Sequence, residues 1–444
     1  MKLPEPAPDW QQLFLADKGS ILELSRRLAP VLKKANHDYL YWDKFKYQPL
    51  PPEVAPEYAW AALKLNRVLR GIKTIPLADG TGRTFSYWVP DSAQQALHFL
   101  DQNAVGQILV DEPAMHSEEK QRYIVKSIME EAITSSQLEG AATTRVVAKE
   151  MLRSGRKPRD HAERMIFNNY QTISRIREFV DEPLSVELLL NLHRLISQDT
   201  LEHSGQEGRF RIREDGDIRV YDERDQVLHT PPPPEDVEAM VGQLCDFANK
   251  EEAEEFVHPV IKGIILHFWL AYLHPFADGN GNGRAARALF YWYMLKQKYW
   301  LFEYLSISRV MRRAAGQYYR SFLYTETDEG DMTYFIMFHL RAITLAIDEL
   351  RGYLARKQAE SRQAMRFLKR RPNLNHRQRA LLMSAIEKPD NVYTFTTHMK
   401  THNVVYQTAR ADLLALQEAG LLEMQKAGRK YYFTPVVDLQ EKIL

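Results

Sequence analysis

From Ser117 onward apolar residues recur at helical spacing: Ile124, Ile128 and Ala132 form one row, and Val125, Met129 and Ile133 run beside it. The same pattern predicts helices over about 160–179, 185–198, 234–249, 259–273, 285–297, 309–323 and 331–350. The centre of the chain is therefore helical. Ahead of it, short helical patterns mix with a hairpin, because Ala78-Asp79-Gly80-Thr81-Gly82 separates two strand-like stretches, 74–77 and 84–89. One further segment breaks the helical run: 211–221, then 227–230 and the four prolines Pro231 to Pro234. Asp215-Gly216 reads as its turn, with short strands on both sides. The result is a hairpin standing off the helical body, whose edges either hold an extended peptide or serve only as a connection.

The pattern changes again near the C-terminus. Between Arg351 and Arg371 lie Arg351, Arg356, Lys357, Arg362, Arg366, Lys369, Arg370 and Arg371 against a single acidic Glu360, which reads as a solvated helix face or linker. After Pro372, helices are predicted over 375–386, 394–401 and 405–419, the last closed by Gly420, with a hairpin over 421–434 turning at Ala427-Gly428. Three helices and a hairpin make a winged helix. The expected organisation is a module over 1–105, a helical domain over 106–350, a basic linker helix over 351–371 and a winged-helix domain over 372–444. The fold class is mainly α.

Composition narrows the classes further. The 444 residues carry 59 Lys+Arg against 58 Asp+Glu, a formal charge of 59 − 58 = +1, and 45% are hydrophobic, as in a soluble globular protein. A neutral total argues against a surface that coats nucleic acid, although a local basic patch stays open. No apolar run reaches the roughly 18 residues of a membrane span, and the first residues lack a signal-peptide pattern, so a cytoplasmic protein without membrane contact is expected. The single cysteine, Cys245, excludes an intrachain disulfide and any Cys-rich zinc site.

The most informative stretch is His274-Pro275-Phe276-Ala277-Asp278-Gly279-Asn280-Gly281-Asn282-Gly283-Arg284-Ala285-Ala286-Arg287. Pro275 disfavours helix at the residue before it, which presents His274 at a helix end. Gly279, Gly281 and Gly283 let backbone pass close to a ligand, and the next helix is expected immediately after them. Amides at a helix start favour phosphate, and Arg284 and Arg287, three apart, add charge from one face. Each part alone is ordinary. Together they supply a base, a metal-binding carboxylate in Asp278, an anion cradle and charge neutralisers, the needs of phosphoryl-type chemistry.

This stretch resembles the signature of the Fic family, His-Pro-Phe-x-Asp/Glu-Gly-Asn-Gly-Arg-x-x-Arg. The resemblance extends to Ser135, Glu139 and Gly140, which meet the family's inhibitory-helix pattern Ser/Thr-x-x-x-Glu-Gly/Asn. It extends to the hairpin after Gly208-Arg209-Phe210-Arg211, similar to the family's flap, and to Tyr318-Tyr319, placed where relatives keep an adenine-side pair. It implies an all-helical core that transfers AMP from ATP to a hydroxyl side chain of a target protein, or of itself, with Mg²⁺. His274 would be the base and Asp278 the metal ligand. Gly279, Asn280, Gly281, Asn282, Gly283, Arg284 and Arg287 would hold phosphates, and Phe276 would anchor the loop in the core. Ile218, Arg219, Val220 and Tyr221 would dock the target. Glu139, with Ser135, would block the γ-phosphate position by pairing with Arg287; the alternative is a capping box at Ser136-Gln137-Leu138-Glu139, an ordinary helix start.

This sequence departs from the signature by a second Gly-Asn. Aligned with a gap, Arg284 and Arg287 remain the pair, the extra residues form a bulge ahead of the helix, and either Asn280 or Asn282 touches the phosphate. Without the gap, Asn282 and Ala285 fall where the arginines belong. Two rival functions remain open at this stage. One is removal of AMP, or transfer of another nucleotide or phosphocholine, on the same fold. The other is a DNA-binding regulator, with Thr408-Ala409-Arg410 opening a recognition helix and Arg429-Lys430 in the wing, although winged helices also serve protein docking and homodimers.

Overall fold

A computed structural model describes residues 3–105, 117–222, 224–250, 256–369, 373–387, 391–427 and 430–443. Arg370, Arg371, Gly428 and Arg429 lie outside the described residues, as do the side chains of Lys357, Glu360, Arg362, Arg366 and Lys369. The chain divides into two compact units, Met1–Asp348 and Glu349–Leu444. The structure is mostly helical, with three separate two-stranded antiparallel sheets among the described residues. No helix among the described residues is long and apolar enough to cross a membrane.

In the first unit, the described residues 3–105 pack against the helical core. The helix Pro56–Val68 is buried along most of its length, including the polar Lys64 and Arg67. Buried charges need partners, and both find them within the same unit. Lys64 Nζ donates to Asp328 at 2.9 Å, and Arg67 donates to Tyr334 Oη at 2.9 Å and to Asn36 at 3.0 Å. Tyr39 adds a 2.6 Å bond to Asp331. The strands Lys73–Ala78 and Thr84–Tyr87 pair as expected, with Lys73 opposite Tyr87.

At the centre lie the helices Pro259–Leu273 and Gly279–Lys296, both almost wholly buried. The first starts at Pro259, suited to a first helical turn because it has no N–H to satisfy. Its Gly263 lets Met294, Tyr293 and Phe290 of the second helix come close, since a Cβ there would stand 3.0–3.5 Å from their side chains. The Ser117–Leu138 helix lies against the second of these and is closed by Gly140, whose φ of 90° lets the Ala141 amide turn back to the Ser136 carbonyl at 3.0 Å. Glu139 therefore sits at a helix C-terminus, and the capping-box alternative, which needs a helix start, is excluded.

Four expectations are corrected here. The helix expected to begin after the glycines begins at Gly279. The hairpin reverses over 222–226, between strands Val220–Tyr221 and Val227–His229, while Arg213–Asp215 form a 3-10 turn. Asp215 is drawn out of that reversal because Arg209 grips its carboxylate with two 2.7 Å bonds. The pattern over 309–323 resolves into two helices, Ile307–Arg313 and Ala315–Thr327, and the helix expected over 331–350 runs on to Lys369. A helix over Arg145–Ser154 adds to those expected, capped by Thr144 and closed by Gly155.

The second unit holds the end of the Thr333–Lys369 helix, the helices His376–Glu387, Phe395–His402 and Tyr406–Glu418, the antiparallel strands Leu422–Ala427 and Lys430–Pro435, and the short helix Leu439–Ile443. Tyr393, between His376–Glu387 and Phe395–His402, bridges to Phe433 of the hairpin. Leu382, Leu413, Leu416 and Phe433 centre its core.

Lys64 is the most exposed of these joints to a test by substitution. Lys64→Met should destabilise the protein by roughly 3–5 kcal/mol, because it leaves the Asp328 charge buried without its cation. Urea unfolding would read this, and a change within about 0.5 kcal/mol would contradict the assignment.

Candidate active site

The site forms where the Pro259–Leu273 helix stops and the Gly279–Lys296 helix starts. His274 ends the first in the left-handed region, at φ 46°, a conformation that is costly for a residue with a Cβ. Pro275 denies it the helical alternative. Burial, then the neighbouring His229 and Arg211, pulls the His274 pKa down to about 3, so the imidazole is neutral near pH 7. Arg211 fastens the flap to this turn: its Nε donates to the His274 carbonyl and its amide to the Pro275 carbonyl, each at 2.8 Å.

The doubled Gly-Asn does not bulge. Asp278, a strong N-cap residue type, accepts the Asn280 amide at 2.8 Å, so the helix is already under way at Gly279. Asn282 then falls on the buried side. Its Nδ2 donates to the carbonyls of Phe276 at 2.9 Å and Asp278 at 2.7 Å, and its Oδ1 accepts the Phe276 amide at 3.0 Å. Those bonds use the whole amide, so Asn282 is a fastener of the loop and has nothing to offer a phosphate. Asn280 is exposed. Phe276 is fully buried and stacks on His193 at 3.7 Å.

Four buried polar atoms have no hydrogen-bond partner among the described residues: Nε2 of His193 on the Val186–Ser197 helix, Oδ2 of the N-cap Asp278, and Arg284 Nη2 and Arg287 Nη1 on the helix it caps. His193 accepts the Gly208 amide on Nδ1 at 3.1 Å, which leaves the proton of the neutral ring on Nε2. That atom and Asp278 Oδ2 both face Gly281, where an added Cβ would stand 3.0 Å and 2.5 Å from them. Arg284 donates to the Asn280 carbonyl at 2.8 Å and the Ile196 carbonyl at 3.0 Å, with Nη2 left 3.6 Å from Asp278 Oδ2. Burial pulls its pKa down to about 10, which still leaves it charged near pH 7. Interiors rarely leave polar atoms unsatisfied, and such a cluster has room to bond a water, an ion or a ligand.

Arg287 is held from the Ser117–Leu138 helix. Its Nε donates to Ser135 Oγ at 2.8 Å and its Nη2 to the Ser135 carbonyl at 2.9 Å, while Nη1 stands 2.8 Å from Glu139 Oε1, too poorly aligned for a hydrogen bond. Burial opposes its charge, but Glu139 and Tyr318 outweigh that and hold the proton more firmly than usual. Gly283 makes room for this arrangement, because a Cβ there would collide with the Glu139 carboxylate. Tyr319 donates to the Leu138 carbonyl at 3.0 Å, and Tyr318 is buried with its hydroxyl 3.0 Å from His267 Nε2. His267 Nδ1 in turn lies 3.1 Å from His339 Nε2.

At the flap, Val220 and Tyr221 pair with Val227–His229, Tyr221 is half exposed, and Arg219 pairs with Asp217 at 2.8 Å. Ile218 precedes this short strand. Among the described residues no group of three or more His, Cys, Asp or Glu stands ready for a metal ion. A lone carboxylate oxygen such as Asp278 Oδ2 does suit Mg²⁺, which binds through one or two carboxylates and substrate phosphates. The sequence reading missed His193, His267 and His339. Each occupies an apolar row of its helix, where a histidine is a visible anomaly but its partner is not.

Residues 183–294 match the Fic/DOC family. Over 108 residues the chain is 32% identical to "Protein adenylyltransferase Fic" of Nematostella vectensis, covering 24% of this chain and 22% of that protein. It is 26% identical over 227 residues to "Protein adenylyltransferase fic-1" of Caenorhabditis elegans, covering 50% of this chain and 39% of that one. The chain thus spans well under half the length of the curated relatives it matches. The crystal structure of a Fic family protein from Desulfovibrio desulfuricans shares the fold, with a TM-score of 0.51 at 19% identity over 78% of this chain and 94% of that one.

The buried histidines set an acid limit. His193, His267 and His339 are fully buried, and burial chiefly pulls His193 and His339 to about 3 and His267 well below its ordinary value. A depressed folded-state pKa gives stability that is present above the unfolded value near 6.5 and lost as pH falls below it. At pH 5 unfolding should take up about three protons at these positions, a slope of up to about 4 kcal/mol per pH unit. Urea unfolding between pH 7 and 5 measures it, and unchanged stability would refute the neutral assignments.

Proposed function

The chain carries a Fic domain, and on that premise we propose that it transfers AMP from ATP to a hydroxyl side chain of a protein, with Glu139 holding the activity off. The observation that carries this reading is the cluster of unsatisfied buried atoms of His193, Asp278, Arg284 and Arg287, with Glu139 resting on Arg287. A polyanion would meet the free N–H groups of His193, Arg284 and Arg287 and the start of the helix. A carboxylate at Arg287 occupies one end of that site and repels the same polyanion.

In the reaction, neutral His274 accepts the proton of an attacking Ser, Thr or Tyr hydroxyl. The hydroxyl oxygen bonds to the α-phosphorus as the bond to pyrophosphate breaks. A base with a pKa near 3 is weak, but a triphosphate beside it favours the imidazolium and restores basicity when substrate is in place. Arg284 and Arg287 offset the charge that develops on the phosphates. Asp278 Oδ2 would hold Mg²⁺, which supplies further neutralisation when bound. Tyr318 and Tyr319 would flank the adenine side, and the exposed edge at 218–221 would hold the target segment by main-chain bonds. The Leu-rich second unit is read as a winged helix because the Tyr393–Phe433 bridge adds the short strand that such a domain carries between its first two helices.

Purified protein incubated with labelled ATP, UTP, GTP and CDP-choline, with the transferred mass read on the protein itself and on an extract, tests the reaction. AMP should be the group transferred. Transfer of another group, or only loss of AMP from a modified protein, would replace the reading.

Glu139→Gly should raise AMP transfer about tenfold or more, first as self-modification, since it removes a like-charge clash and frees a cationic contact, each about a kcal/mol or more. Arg287→Ala in the same chain should cancel the gain. Equal AMP incorporation by folded Glu139→Gly and the parent protein would sink the inhibitory role.

His274→Ala should lower transfer by about 10²–10⁴-fold while nucleotide affinity changes little, because the phosphate contacts lie on other residues. Undiminished transfer by the folded variant would remove His274 from the mechanism.

A further inference from the structure

Both legs of the flap are tied to the end of the Pro259–Leu273 helix. The last carbonyls of a helix have no partner within it, and N–H-bearing side chains meet them well. Here three successive carbonyls are taken by flap residues. Arg211, on the outgoing leg, donates to the Leu273 carbonyl at 3.4 Å and the His274 carbonyl at 2.8 Å, and it also reaches the Pro232 carbonyl, which closes the foot of the hairpin. His229, on the returning strand, stands with Nε2 2.7 Å from the Tyr272 carbonyl.

His229 has a second partner outside the flap. Its Nδ1 lies 2.7 Å from Oε2 of Glu326, on the Ala315–Thr327 helix, and only 9% of its side chain is exposed. A carbonyl can only accept, so Nε2 carries a proton and donates to Tyr272. The ring also packs on the Tyr272 ring, with centroids 4.9 Å apart. Glu326 and the Tyr272 carbonyl thus hold the imidazole by one nitrogen each.

The main chain of the same residue faces the other way. His229 pairs with Val220, and Val220–Tyr221 is a strand whose other edge has no partner among the described residues. One residue therefore stands between the free edge of the flap and the turn that presents His274. Its backbone fixes the strand, and its side chain fixes that strand to a carbonyl two residues before the base.

We propose that His229 and Glu326 are positioning residues for the attacking hydroxyl: they hold the docking edge at a set distance from His274, so that a segment bound along 218–221 brings its hydroxyl to the base. This rests on the reading of 218–221 as the edge that holds the target. Substrate touches neither side chain. Attack needs the reacting atoms about 3–3.5 Å apart, and about an ångström of play can cost about 10²-fold, so the joint is felt in turnover and not in nucleotide binding.

The test uses the full chain with Glu139→Gly. Hydrogen exchange without nucleotide reads the joint itself. His229→Phe keeps a ring beside Tyr272 and loses both bonds, so exchange at the amides of 218–222 and 226–230 should quicken about tenfold or more, while that over 259–270 stays parental. Glu326→Gln should leave both segments parental, because its amide can donate to an Nδ1 that carries no proton. Self-modification with ATP as the varied substrate reads the consequence. His229→Phe should lower kcat about tenfold or more and leave KM for ATP within about twofold, and Glu326→Gln should keep both. Glu326→Ala added to His229→Phe should cost nothing further, because Glu326 acts through the ring. Val220→Pro, which takes an N–H from the docking strand, should lower kcat as well.

Parental exchange in folded His229→Phe would overturn the proposal. So would a KM for ATP that rises as far as kcat falls, an unchanged kcat in His229→Phe where Val220→Pro lowers it, or a loss in Glu326→Gln as large as in His229→Phe. If Val220→Pro modifies itself at the parental rate, the docking reading fails and this role goes with it. If the parent transfers no AMP, the reaction reading fails instead, and the exchange result alone decides whether the joint holds the flap.

Discussion

Everything at the site depends on a tight reversal between two buried helices, and Asn282 is what holds that reversal shut. Its one amide closes three bonds onto Phe276 and Asp278. With Phe276 pinned, His274 is obliged to stand at the end of the preceding helix and Asp278 at the start of the next. A buried amide with every bond made specifies a geometry strongly, because any shift would strand polar atoms in an apolar setting. The loop is therefore rigid where a glycine-rich sequence suggests freedom.

The same economy explains the charge layout. Arg284 and Arg287 are buried on one face of the second helix, yet each has its fixed contacts with neutral oxygens of Ile196, Asn280 and Ser135. Neutral acceptors orient a guanidinium without cancelling its charge. The positive potential is thus preserved for whatever enters, and Glu139, tethered at the end of its own helix, is the one carboxylate placed to meet Arg287 at close range among the described residues. On the proposed reading, binding and inhibition compete for a single charged group.

Much of this was legible in the chain itself. Amphipathic spacing located the central helices, the helix-ending Pro275 located His274, and the Ser135–Glu139 spacing matched the observed contacts with Arg287. The departures share a cause: at each, a cap or a long-range contact outweighs local propensity. Five residues alternating glycine and asparagine read as a loop, but an Asp278 cap and the buried Asn282 outweigh the poor helix propensity of glycine. Asp215-Gly216 read as a hairpin reversal, but the Arg209 grip makes it a separate turn. His267 and His339 are 72 positions apart, and nothing local to either one shows that they touch.

Gly283 carries a consequence of its own. The Glu139 carboxylate rests on bare backbone at that position, where a single methyl group would collide with it. On the proposed reading the latch has two halves, a carboxylate from one helix and an empty notch on another, and spoiling either would open it. Loss of the carboxylate would unlock the protein from one side, and filling the notch would reach the same end from the other. A residue with no functional group at all would then share in holding the activity off.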